Sequence, residues 1–303
     1  MRPFVKKKSS NFFASKLLVY SCLSFLFACQ LHGQSSSDTI DKTLDFAGKS
    51  TLVVWNINGG IEVESHIGDE VKLEIIRKYS AKSQALVEKA KEELKVKTVY
   101  YGDTLVVAID PPCDERNRNW KKGWHGNVWW NGCEWNPKYE FYMSFKLKVP
   151  RRTNLILSTV HEGVIEVRNV TGDLCVNHVH GDIQLNQISG AVEAKTIHGD
   201  IDLQYSQVPK KDASFYAHHG DIEMKLPSNS AAKLFFKSHD GDFYTDADAK
   251  ALKTINDTYQ KVEGEGNGLS YRLSNRSGVQ LRGGTVVLDF ETWHGDVYVR
   301  EGK

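Results

Sequence analysis

The chain has 303 residues and nearly balanced charge, 39 Lys and Arg against 38 Asp and Glu. Five of the basic residues (Arg2, Lys6, Lys7, Lys8 and Lys16) lie in the first 33 positions, which hold no acid, so 34 basic residues face 38 acidic ones in the remainder. That balance argues against a nucleic-acid binder, which gathers positive charge for phosphate contacts, and 25% charged with 40% hydrophobic residues argues against wholesale disorder.

Residues 1–16 are basic, Leu17 to Ala28 is a mostly apolar run, and Cys29 to Gln34 is more polar. This is the order of a secretory signal, so residues 1–33 read as a signal peptide and the chain as exported to the bacterial periplasm, outer membrane or cell surface. The apolar run is shorter than the ~20 residues of a membrane span, and no later stretch reaches ~18. Leu26-Phe27-Ala28-Cys29 is similar to a lipoprotein box, which makes Cys29 a candidate for lipidation and a lipid anchor the one expected membrane contact. Cleavage after Gly33 with free secretion is the rival reading.

Residues 34–50 read as a polar, mobile leader. An N-terminal β region, 51–150, follows. Thr51–Ile57, Ile61–Glu64 and Val71–Tyr79 alternate or carry β-branched residues and predict strands, with turns at Asn58-Gly59-Gly60 and Ile67-Gly68-Asp69. Leu86, Ala90 and Leu94 fall four apart beside Val87, which predicts one amphipathic helix near 83–95. Strands resume at Val96–Tyr101, Thr104–Ile109 and Tyr139–Val149.

Between them lies an insertion, 110–137, holding five of the seven tryptophans. Trp120, Trp124, Trp129, Trp130 and Trp135, beside Arg118, Lys121 and Lys122, suit sugar rings or a protein partner. The competing reading is a small core that buries its own indoles. Cys113 and Cys133 are the natural disulfide pair in an exported chain, closing a loop stabilised by about 3 kcal/mol. Cys175 has no evident partner.

From residue 151 to 303 the sequence repeats. Gly163, Gly172, Gly181, Gly190 and Gly199 are each nine residues apart. Apolar residues follow two and four positions after each glycine, as in Ile183 and Leu185 or Ile201 and Leu203, which makes a half-buried strand. A third apolar position, Val170, Val179, Ile188 and Ile197, is expected to anchor the turn. Two nine-residue units form one coil of two strands, and coils bury their faces only by stacking. The fold expected is all-β with one short helix, a β-solenoid or β-helix-like stack of short strands. The alternative is a β-sandwich built from a long meander.

His180, His198, His219 and His294 each precede Gly-Asp, while His161 and His239 sit one residue further upstream of their glycine. In a solenoid these histidines recur on one edge roughly 4.8 Å apart, with Asp182, Asp200, Asp221, Asp242 and Asp296 beside them. His180, Asp182, His198, Asp200, His219 and Asp221 are therefore candidate ligands for a divalent metal. The array is also a candidate acid sensor. The plainest reading is turn chemistry multiplied by duplication. The calcium nonapeptide pattern fails, because each unit has a single Gly-Asp. No nucleophile elbow, zinc-protease helix or phosphate loop is present, so no enzyme, no catalytic residue and no cofactor are expected.

The run from Ile165 through Thr171-Gly172-Asp173-Leu174 and His180-Gly181-Asp182-Ile183 to Ala194 resembles a bacterial family of adhesin-like, or LiaG-like, envelope proteins with Gly-Asp-Ile β-repeats. Trp55 to Ser65, followed by Gly68, Asp69 and Val71, resembles that family's opening strands. The resemblance implies an exported β-repeat domain at the cell envelope with an adhesion or stress-linked role; together with the repeats and the leader it leads to the expectation of a binding, adhesin-like protein whose partner is an envelope polysaccharide or a protein, the alternative being an envelope-stress accessory or structural protein. It supplies no catalytic residues, and here His replaces the usual Ser or Thr before Gly-Asp.

Overall fold

Apolar side chains alternate at period two along most of the chain, so each strand turns one face inward and the other to water. The structure, a computed structural model, describes residues 33–112, 136–252, 260–263, 269–272 and 277–302. The first elements are β1 (Gln34–Asp45), β2 (Thr51–Trp55), β3 (Ile61–His66), β4 (Glu70–Ala81), α1 (Gln84–Glu93), β5 (Lys95–Tyr101), β6 (Thr104–Asp110) and β7 (Tyr139–Pro150). The repeats give β8 (Asn154–Thr159), β9 (Ile165–Arg168), β10 (Leu174–His180), β11 (Ile183–Ile188), β12 (Val192–His198), β13 (Ile201–Tyr205), β14 (Ala213–His219) and β15 (Ile222–Pro227). Then come β16 (Ala232–Asp240), β17 (Phe243–Thr245), β18 (Ala249–Ala251), β19 (Gln260–Glu263), β20 (Leu269–Arg272), β21 (Ser277–Leu281), β22 (Val287–His294) and β23 (Val297–Gly302).

Two long sheets enclose one core. The first runs β1-β4-β7-β3-β9-β11-β13-β15-β23-β17, and the second β18-β21-β16-β22-β14-β12-β10-β8-β2-β6-β5. Each coil gives one strand to each sheet. Successive coils are parallel and in register, with Val176 opposite Ala194 and Leu185 opposite Leu203. Ile183, Leu185, Ile201 and Leu203 are buried, as are the matching residues of the other coils, in a single apolar cluster. This is a β-solenoid-like stack. A meander sandwich would pair neighbours antiparallel, whereas from β7 to β17 the chain crosses to the other sheet at every turn.

Two expectations are corrected. Residues 34–45 are no loose leader: β1 pairs with β4 along its whole length, from Gln34 opposite Ala81 to Asp45 opposite Glu70. The edge of β4 offers unpaired backbone groups, and pairing satisfies them whatever the polarity of the side chains. Leu44 and Phe46 are buried at its end, and Arg77 holds Asp38 through two hydrogen bonds of 2.6 and 2.9 Å. The second correction concerns the third apolar position. Val170 and Ile188 are buried, but Val179 is half-buried and Ile197 is 42% exposed. In β10 and β12 the strand continues to the histidine, so alternation points His178 and Thr196 inward and their successors outward.

The coils also do not stack in the order of the chain. The coil β22/β23, last in the chain, lies between β14/β15 and β16/β17. At the other end β2/β3 lies between β6/β7 and β8/β9. Helix α1 forms as expected, with the Ser83 hydroxyl capping the Leu86 amide, and it lays Val87, Ala90 and Leu94 into the core against β1, β4 and β7. That cover gives the first end of the stack the cap an open solenoid needs.

Candidate functional site

Each His-Gly-Asp turn forms where a strand of one sheet ends and the chain crosses to the other. The glycine is required twice over. At Gly199, φ is +142°, and an added Cβ would sit 2.3 Å from the Gly181 carbonyl oxygen of the coil below. No side chain fits so close a backbone approach. The aspartate then ties the coils together. Asp182 Oδ1 accepts the Asp200 amide at 3.0 Å, Asp200 Oδ1 the Asp221 amide at 2.8 Å, Asp221 Oδ1 the Asp296 amide at 2.8 Å and Asp296 Oδ1 the Asp242 amide at 2.8 Å. Each is a charge-assisted bond between neighbouring coils, so the acidic row expected from sequence is a chain of inter-coil fasteners.

The histidines form the companion row. Ring centroids are 6.0 Å apart for His161 and His180, 5.0 Å for His180 and His198, 4.9 Å for His198 and His219, and 5.0 Å for His219 and His294. The planes of these four pairs lie within 5° of parallel. His180, Asp182, His198, Asp200, His219 and Asp221 are thus brought to one edge. His161 joins the ladder despite its offset. His239 does not: Asp240 takes its place opposite His294, with His294 Nδ1 3.4 Å from Asp240 Oδ2. The His219 imidazole is held below the ordinary histidine range by desolvation first, then by His218, His198 and His294. Among the described residues no three His, Cys, Asp or Glu side chains already converge to hold a metal ion.

Two parts of the site escaped the sequence reading. Beneath the turns runs a buried polar row, in which Thr159 donates to the Gly59 carbonyl at 3.1 Å, Thr196 to Gly181 at 3.1 Å and Thr292 to Gly295 at 2.8 Å. His178 occupies this row, 2% exposed, with Nδ1 3.4 Å from the Asp182 carbonyl and a buried Nε2 without a partner among the described residues. Burial pushes its pKa down. The alternation Leu174, Val176, His178 carried the signal. Beside the ladder, Trp293 is 43% exposed and stacks on His239 at 4.7 Å, with His218 at 5.6 Å. This second row needs the true coil order, because β22 lies between the strands of His218 and His239.

The described ends of the long insertion lie at the same edge. β6 is parallel to β2 and β7 to β3, so the connection leaving Pro112 and returning at Asn136 replaces the turn that Asn58 to Gly60 makes one coil further on. Asn58 and Asn56 donate to the Phe141 and Met143 carbonyls at 2.8 Å each, which fixes the return strand. Trp120, Trp124, Trp129, Trp130, Trp135, Cys113 and Cys133 lie outside the described residues, as does Cys29. Cys175 is a free thiol on β10 whose pKa burial raises.

Residues 160–279 match the family model Toastrack DUF4097. This part of the chain is similar to the Toastrack DUF4097 family. It covers the coils from β9 to β17 and four ladder histidines, His161, His180, His198 and His219, while His294 comes from the coil beyond it. No curated protein matches the chain. Among solved structures it is similar to a candidate cell adhesion protein of Clostridium sporogenes (14% identity, TM-score 0.43, covering 88% of this chain and 100% of that one). It is also similar to a candidate adhesin of Bacteroides fragilis (11% identity, TM-score 0.30, 88% and 97%) and to a candidate lipid-binding protein of Parabacteroides distasonis (11% identity, TM-score 0.29, 89% and 98%). The described residues hold no helix long and apolar enough to cross a membrane.

Proposed function

We propose that the chain is an exported, non-enzymatic, adhesin-like binding protein of the cell envelope, whose contact surface is the edge that carries the His-Gly-Asp turns. The observation that supports this most is the shape of that edge. Five imidazoles recur at nearly constant pitch, and the tryptophan-rich insertion leaves from the same row of turns. Repetition of one exposed group along a straight edge suits an extended, repetitive partner better than a small molecule, which needs a concave site. An envelope polysaccharide is such a partner.

Secretory cleavage within the first 33 residues, a Cys113–Cys133 disulfide and lipidation at Cys29 belong to the same proposal. Mass analysis of the mature amino terminus tests the anchoring. The function itself is tested by binding of the protein to isolated envelope polysaccharide and to whole cells, with and without residues 113–133. Binding that falls on deletion supports the reading. No binding by either form removes it. Retention of one fixed protein from crosslinked envelopes, without polysaccharide binding, replaces it with the accessory role.

A further inference from the structure

We propose that the imidazole ladder binds divalent transition-metal ions, each held between histidines of adjacent coils along His180, His198, His219 and His294. This goes beyond the adhesin reading and does not depend on it. Three observations carry it. The first is pitch. Neighbouring ring centroids are 4.9 to 5.0 Å apart, and a metal bound at about 2.0–2.1 Å to each of two nitrogens needs them only roughly 3 Å apart. A modest rotation of two facing rings closes that gap without moving the backbone. The second is freedom to rotate. These rings sit on the exposed edge, and of the four only His294 has a hydrogen-bond partner among the described residues, a long contact to Asp240.

The third is charge. Asp182, Asp200, Asp221, Asp296 and Asp242 run beside the ladder, and each of the first four spends one carboxylate oxygen, Oδ1, on the next coil. The edge therefore favours a cation over an anion. Imidazole nitrogen selects zinc, nickel and copper over magnesium or calcium. Because no three ligands converge in the ladder as it stands, each ion takes two imidazoles and completes its shell with water or a neighbouring carboxylate oxygen. A histidine shared by two pairs serves one ion at a time, so the four rings hold at most two ions.

The test is titration of the purified full chain with Ni²⁺, followed by calorimetry and by NMR of the imidazole signals. The expected result is saturable binding of one or two ions, reversed by a chelator. Paramagnetic broadening should be confined to the ladder and leave His66 sharp. His198→Ala with His219→Ala should weaken affinity at least tenfold, while His66→Ala changes nothing. His198→Gln with His219→Gln repeats the test with larger side chains should the alanine pair fail to fold, and the wild-type broadening needs no variant. No saturable heat at millimolar Ni²⁺, affinity unchanged in the ladder variants, or broadening elsewhere in the chain would each overturn the assignment. No polysaccharide enters the experiment, so its failure leaves the adhesin reading where it stands.

Discussion

The middle of the stack and its C-terminal end use the same turn and differ in how the chain lays it down. From β8 to β15 each coil follows its predecessor both in sequence and in space. After Pro227 the chain skips a level, builds β16/β17 as the last coil of the parallel stack, with β21 and then β18 pairing antiparallel beyond β16, and returns to fill the gap with β22/β23. Burial explains the difference. Leu288, Phe290, Val297 and Val299 of the returning coil are at most 1% exposed, whereas Phe236 and Phe243 of the outer coil are only partly buried. β17 is also just three residues long. The coil with the complete apolar set takes the level with parallel coils on both sides, and the poorer one ends the parallel stack. Local pattern makes a coil; coverage decides its place.

The largest effect expected from breaking this arrangement is deletion of residues 287–303. It removes four fully buried apolar side chains, on the order of 6–12 kcal/mol of burial, takes from β17 its neighbour β23, and leaves β16 paired with β21 alone. Loss of the cooperative melt over the C-terminal half, with hydrogen-exchange protection kept in β8 to β11, is the expected outcome. An intact melt would mean that β22/β23 is peripheral. Within the orderly middle, Gly199→Ala forces a Cβ into the Gly181 carbonyl and should cost more than about 3 kcal/mol in denaturant unfolding. Asp200→Ala removes only the acceptor of the Asp221 amide and should cost about 1.5–3 kcal/mol. If the two substitutions cost the same, the turn is not held in the manner described.

The smallest effect is that of pH. His178 has a folded pKa below its unfolded value of about 6.5. The unfolded chain therefore takes up a proton that the folded chain refuses. Stability should be level above that value and fall below it, by up to about 1.4 kcal/mol per pH unit for this one group. His219, shifted the same way, adds to the fall. Thermal melts between pH 8 and 5 check this, and His178→Asn, which cannot titrate, should flatten part of the slope.

Much of the molecule was legible in its sequence. The nine-residue spacing of Gly163 to Gly199 gave the strands, the coil and the edge on which His180, His198 and His219 meet, because period and turn chemistry are local properties. The place of His294 between His219 and Asp240 was not legible, since it depends on which coil buries more apolar surface. β1 was missed for a related reason: its serines and aspartates carry no apolar alternation, and it is a strand only because β4 presents an edge. His178 was within reach, as the inward member of an alternation already recognised.

The order of levels at the C-terminal end is tested most directly by disulfide trapping. A disulfide needs Cα atoms about 4.4–6.8 Å apart, a distance met by adjacent levels and not by alternate ones. In a chain whose native cysteines are replaced, His219→Cys with His294→Cys should crosslink readily under mild oxidation, and His219→Cys with Asp240→Cys should not. The reverse pattern would place β16 directly on β14 and contradict the stacking order on which the ladder, its flanking aromatic row and the metal assignment at His294 depend.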